Sequence, residues 1–188
     1  MHELDISNMV IADIRHDELY YLIEAIAREE PVQTILEIGS CTGQGSTEAF
    51  VSGIQKNPHQ PTLFCIEGLA IYFNELQKRY ADFPHVKCYY GSTISLEQFP
   101  TEAEVIDFYN TVPTNLNSYP LDMVMGWYQR DYLNIRENEI PTQIIQTVKR
   151  ENQIDTFDVV FVDGSEFSGR SDFEEIYGAK LILLDDIN

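Results

Sequence analysis

The chain is short of positive charge: its 188 residues carry 12 Lys and Arg against 31 Asp and Glu, a net charge of -19. Such a surface repels phosphate backbones, and no basic stripe interrupts it, so no nucleic-acid partner is expected. Any apolar stretch near the roughly 20 residues that span a bilayer is also missing, so no membrane partner is expected. The opening Met1-His2-Glu3-Leu4-Asp5 has neither a basic region nor an apolar core and does not read as a signal peptide. Cytoplasmic is the expected location. The three cysteines, Cys41, Cys65 and Cys88, form no C-x-x-C pair and are odd in number. Reduced, packed thiols are expected rather than disulfides or a zinc site. With no internal repeat or low-complexity linker, the length suits one domain over residues 1–188.

What is present is organised around Ile35-Leu36-Glu37-Ile38-Gly39-Ser40-Cys41-Thr42-Gly43-Gln44-Gly45-Ser46. A short apolar run, the mark of a buried parallel strand, breaks into a glycine-containing turn. A helix pattern with Thr47, Ala49, Phe50, Val51 and Ile54 follows. Strand, glycine turn and helix N-terminus together make a nucleotide-type cradle. The dinucleotide fingerprint needs G-x-G-x-x-G, whereas these glycines fall at Gly39, Gly43 and Gly45. Glu37, two residues ahead of the first glycine, would repel a pyrophosphate and suits a ligand with a positive amino group. A nicotinamide-dependent oxidoreductase fails on that spacing.

Around this stretch the pattern alternates. Leu19, Leu22, Ile23 and Ile26 place an amphipathic helix over Asp17 to Glu29, stopped by Pro31. A second strand, Thr62 to Ile66, ends at Glu67, and a helix through Leu69, Tyr72, Phe73, Leu76 and Tyr80 follows. An acid closing the second strand is what doubly wound sheets use to accept hydrogen bonds from ribose hydroxyls. Val86–Tyr90 is a third strand, followed by Gly91-Ser92-Thr93. Residues from about 94 to 152 form a helical insert. Thr101-x-x-Glu104 opens its first helix with the form of a capping box, a second carries Leu121, Val124, Met125, Tyr128 and Tyr132, and a third follows Pro141. The insert is rich in aromatics, and reads equally as a cap over a substrate pocket or as a helical unit with its own core or a dimer contact. The fourth strand, Phe157 to Val162, ends at Asp163-Gly164-Ser165-Glu166; a helix over Asp172–Tyr177 leads to Leu181–Leu184, which ends at Asp185-Asp186.

Glu37-x-Gly39-x-x-x-Gly43 resembles the first motif of class I S-adenosylmethionine-dependent methyltransferases. Asp163, with Asp185 and Asp186, resembles the acid after the fourth strand and the acid pair after the fifth in metal-dependent small-molecule O-methyltransferases. The resemblance implies an α/β, doubly wound, mostly parallel Rossmann-like sheet in the order 3-2-1-4-5, with the last strands missing or truncated. It also implies S-adenosyl-L-methionine as cofactor, held by Glu37, Gly39, Ser40, Gly43, Ser46, Glu67, Ser92 and Asp163. From the residues themselves, three carboxylates at two strand ends would repel one another, which a divalent cation such as Mg²⁺ on Asp163, Asp185 and Asp186 would relieve. The expected reaction is methyl transfer to a small-molecule acceptor, at a hydroxyl, with Asp163 and Glu166 as catalytic groups. Two departures stand out. Cys41 replaces the middle glycine, and no lysine or histidine base sits near the fourth-strand acid, since His2, His16, His59 and His85 are remote in sequence. The alternative is a non-catalytic or truncated methyltransferase-like domain acting as a binding module; a homodimer is compatible with either.

Overall fold

The computed structural model describes residues 14–29 and 31–185. Five strands, β1 (Thr34–Ile38), β2 (Thr62–Glu67), β3 (Val86–Tyr90), β4 (Val159–Val162) and β5 (Leu181–Leu184), form one sheet in the order β3-β2-β1-β4-β5. Every neighbouring pair is parallel. The predicted order is therefore observed. Parallel pairing forces helical crossovers on both faces, which explains why the inner strands read as near-continuous apolar runs.

Side chains alternate across each strand. Ile35, Leu63, Cys65, Val159 and Phe161 face one core, shared with α1 (Glu18–Arg28), α2 (Ser46–Ile54) and α3 (Ala70–Arg79). Leu36, Ile38, Phe64, Ile66 and Val160 face a second core under α6 (Ile144–Asn152) and α7 (Gly169–Ile176). Leu36 and Phe161 are fully buried, each worth about 1.5–3 kcal/mol of apolar transfer.

The N-terminal helix begins at the Asp17 cap, whose carboxylate accepts from Tyr20 N at 2.8 Å. Its buried face is Tyr20, Ile23 and Ala27, while Leu22 is exposed. Leu19 and Ile26 pack against the same core, so of the four expected apolar positions only Leu22 points outward. A Cβ on Gly53 of α2 would lie 2.3 Å from Glu24 O of α1, so this close approach requires glycine. Asn57 closes the other end of α1 by donating to the carbonyls of Ala27 and Glu29.

The insert contains α4 (Glu102–Thr111), a 3-10 turn Asn115–Ser118, and α5 (Leu121–Glu137), with α6 completing the crossover. The capping box at Thr101 and Glu104 forms as the sequence predicts. The insert has a third apolar cluster of its own, built from Ile94, Phe99, Val105, Val124, Tyr128 and Ile135. The fourth strand starts at Val159, later than expected, because Asp158 turns its carboxylate back to accept from Gln33 N and Thr34 N. At the far edge of the sheet, β5 leaves Leu181 and Leu184 exposed.

Candidate functional site

A cleft of about 350 Å³ opens at the carboxyl ends of β1, β2, β3 and β4. That volume lies in the small-molecule range, and strand carboxyl ends are where open α/β sheets bind ligands. Its floor is the turn after β1. Gly39 has φ +88°, and a Cβ there would meet Asp163 O at 1.8 Å, so the β1 turn and the β4 end touch backbone to backbone. Cys41, φ +47°, holds a left-handed conformation that suits glycine better. Its N–H donates to Glu67 Oε2 at 2.8 Å. Burial, with Glu67 alongside, pushes the Cys41 thiol up to about 11, so it stays protonated near neutrality and is no nucleophile.

Glu67 is the best-built acid of the cleft. Leu69 N donates to its Oε1 at 2.7 Å, while Cys41 N holds Oε2, so two loops clamp one carboxylate at the end of β2. Burial raises its pKa, and the backbone N–H bonds pull it the other way. Each oxygen keeps an outward lone pair, an arrangement suited to accepting from a vicinal diol. On the β3 side, Gly91 (φ +144°) lets the chain pass within 2.3 Å of where its Cβ would touch Pro141 O. Ser92 N then donates to Pro141 O at 2.8 Å and Ser92 O accepts from Ile144 N at 3.2 Å. Ser92 lines the cleft, clamped to the end of the insert.

Glu37 is placed elsewhere. Strand alternation turns it to the α2 side of the sheet, where it is fully buried and accepts from Thr47 Oγ1 at 2.6 Å. Burial raises its pKa, opposed by nearby hydroxyls of Ser40, Thr47 and Ser46. It does not line the cleft. Its Oε1 is buried and lacks a hydrogen bond of its own. Gly43 (φ +77°) also packs inward, where a Cβ would strike the Tyr80 ring at 2.5 Å, and its carbonyl accepts from Tyr80 OH. Ser40 and Ser46 are buried in the same turn, outside the cleft.

Asp163 and Glu166 line the cleft at the end of β4. Asp163 N donates to Ile38 O at 2.9 Å and Asp185 N to Val162 O at 3.1 Å, so the two aspartates sit at neighbouring strand ends. Asp185 does not line the cleft. Asp186 lies outside the described residues. Among the described residues no group of three or more His, Cys, Asp and Glu side chains is arranged to hold a metal. Of the three ligands expected for a metal, Asp163 and Asp185 stand at neighbouring strand ends.

Three functional candidates escape the sequence pattern because they come from the insert. Helix α5 crosses the mouth of the cleft and presents Arg130, Asp131 and Asn134 to it. Asn134 Nδ2 donates to Gly68 O at 2.9 Å, and Ser165 Oγ donates to Asp131 Oδ2 at 2.7 Å. One helix is therefore latched to the turn after β2 and to the turn after β4. The insert is both a roof and a unit with its own core.

No family model matches the chain, and no curated protein matches it. Solved structures do. A candidate caffeoyl-CoA O-methyltransferase from Staphylococcus aureus superposes with a TM-score of 0.53 at 19% identity, covering 95% of this chain and 61% of that one. An O-methyltransferase from Bacillus cereus, solved in complex with SAH (S-adenosylhomocysteine), gives 0.52 at 13% identity, covering 91% and 55%. The chain shares its fold with these O-methyltransferases. The chain spans between about half and three fifths of the length of these neighbours. At such identities the likeness carries the architecture, and the site has to carry the chemistry. Among the described residues no helix is long and apolar enough to cross a membrane.

Proposed function

We propose that this chain binds S-adenosylmethionine in the cleft and transfers its methyl group to a hydroxyl of a small molecule. The observation that carries the reading is Glu67: a carboxylate only 7% exposed, lining the cleft and fixed through both oxygens at the end of β2, where a nucleoside ribose is recognised in sheets of this kind. Gly68, Leu69 and Tyr72 continue the wall beside it, and Ser92, Thr93 and Ile94 face them from the loop after β3. That pairing suits a sugar on one side and a base on the other. The cofactor supplies an electrophilic methyl on a sulfonium, whose positive charge is lost on transfer.

The chain's own residues would orient the partners and hold charge. Asp163, brought to the Gly39 turn by backbone contact, lines the cleft and would hold cofactor and orient the acceptor. Glu166 and Asp131 are the carboxylates placed to accept the acceptor proton, because no Lys or His lines the cleft among the described residues. Proximity would supply most of the acceleration. Glu37 would brace the β1 turn from beneath through Thr47. Mg²⁺ belongs to the proposal, with Asp163, Asp185 and Asp186 as the groups that would hold it, and is tested by its effect on binding.

The same lack of a lysine or histidine favours a second reading, a cofactor-binding module without turnover. Two experiments separate them. Calorimetric titration with S-adenosylhomocysteine, with and without Mg²⁺, should show micromolar binding; a folded sample that binds nothing removes both readings. Incubation of the binding-competent protein with methyl-labelled S-adenosylmethionine and pools of hydroxylated small molecules should then give a labelled product. Binding without any label transfer would favour the module.

A further inference from the structure

We propose that Cys65 and Cys88 form a redox modification site, which an oxidant of the hydroperoxide class closes into an intrachain disulfide across β2 and β3. The inference is independent of the methyl-transfer reading.

The sheet puts the two thiols side by side. Cys65 pairs with Cys88 in the parallel register of β2 and β3, and both side chains face the first core. Paired residues on neighbouring strands lie ~4.8 Å apart, inside the window of about 4.4–6.8 Å between Cα atoms that a disulfide spans. Both cysteines are free in the structure. The bridge would tie together the two strands whose ends bear Glu67 and Ser92, enclosing α3 between them.

The two sulfurs are unequal, and this sets the order of events. β3 is an edge of the sheet, and Cys88 on it is half-buried, whereas Cys65 is fully buried on the strand inside it. The Cys65 thiol donates a hydrogen bond to the Cys88 sulfur, which holds the Cys88 pKa below its ordinary value. Burial pushes Cys65 the other way. Cys88 is therefore the sulfur that forms thiolate and that an oxidant reaches first. Its attack on the peroxide breaks the O–O bond, leaves a sulfenic acid on Cys88 and releases one water. Cys65, already directed at that sulfur, then displaces the hydroxyl. The S–S bond forms, the S–O bond breaks, and the hydroxyl leaves with the Cys65 proton as a second water. The two thiols are oxidised to one disulfide, and one peroxide is reduced. Cys41 takes no part, since it lies in the β1 turn with its thiol pushed up to about 11.

The test exposes the folded full chain to hydrogen peroxide, quenches it in acid, and follows intact mass, free thiols and a peptide map run without reductant. The mass should fall by two hydrogens, two of the three thiols should disappear together, and the map should join Cys65 to Cys88. Dithiothreitol should reverse all three changes. Cys41→Ser should form the same bridge. Cys65→Ala should stop at a Cys88 sulfenic acid captured by dimedone; if circular dichroism shows that variant to be unfolded, the wild-type map decides. Three intact thiols after an exposure that fully oxidises glutathione would overturn the proposal. So would a bridge that includes Cys41, a bridge between two chains, or a Cys88 carried to sulfinic acid beside a free Cys65.

Discussion

Two glutamates on adjacent strands of the same sheet have opposite surroundings. Glu37 lies in the middle of the β1 turn motif and is sealed beneath it against Thr47. Glu67 closes β2 and is held open to the cleft by two backbone N–H groups. Each is pushed toward protonation by burial, yet only Glu67 receives backbone donors on both oxygens. The difference is one of position along a strand: a residue inside the ladder must face one of the two cores, while a residue at its end can face the loops. The acid inside the ladder braces a turn, and the acid at the end of a strand faces the cleft.

The sharpest way to break this picture is at the contact between the two strand ends. Gly39→Ala places a Cβ 1.8 Å from Asp163 O at a φ of +88°. It should cost about 3 kcal/mol or more, from clash and left-handed strain together. Denaturant unfolding measures it, and a loss below about 1 kcal/mol would show that the two turns are not locked together. Next in size is Thr47→Ala, which leaves Glu37 Oε2 buried without its donor. A loss of about 1–3 kcal/mol is expected, with no change in ligand affinity beyond what stability explains. On the roof, Asn134→Ala removes the latch to Gly68 O. About 1 kcal/mol or less should be lost in the same assay, with hydrogen exchange rising in α5 while β1 and β2 stay protected. If protection fell equally in the sheet, roof and floor would be one cooperative unit.

The smallest effect is a slope. The folded Glu37 pKa is raised above its ordinary value, so the native state holds a proton that the unfolded chain releases. Stability from this group is therefore greatest below the unfolded value and declines as pH climbs from there through the folded pKa. Glu37→Gln cannot lose a proton, so its stability relative to the wild type should increase with pH across that window. A difference that stays flat with pH would mean that the carboxylate is not perturbed in the folded state.

Much of this was readable from the sequence, for a physical reason. Strands buried on both faces, such as Leu63–Ile66 and Val159–Val162, read as continuous apolar runs, and the acids that follow them, Glu67 and Asp163, line the cleft. Thr101 and Glu104 signalled their helix because a capping box is local chemistry. The side toward which Glu37 points was also available, since it alternates with Leu36 and Ile38. Arg130 and Asn134 gave no comparable signal, while Asp131 interrupts the apolar stripe of Val124, Tyr128 and Ile135 on α5. An acid in that stripe marks a place where the inner face of the helix is polar, but nothing local says that Gly68 and Ser165 will meet it, because the contact depends on how the insert folds back across the sheet. The proposed metal set depends likewise on two strand ends converging, of which Asp163 and Asp185 are described.

The most direct measurement is the affinity for S-adenosylhomocysteine of the wild type, Glu67→Ala and Glu37→Gln, by calorimetry at neutral pH. Losing a fixed, partly buried carboxylate that accepts ligand hydrogen bonds should weaken binding by roughly tenfold or more in Glu67→Ala, while Glu37→Gln should stay within about threefold of the wild type. Equal losses in both variants, or a larger one in Glu37→Gln, would contradict the assignment of Glu67 to the ligand and Glu37 to the turn.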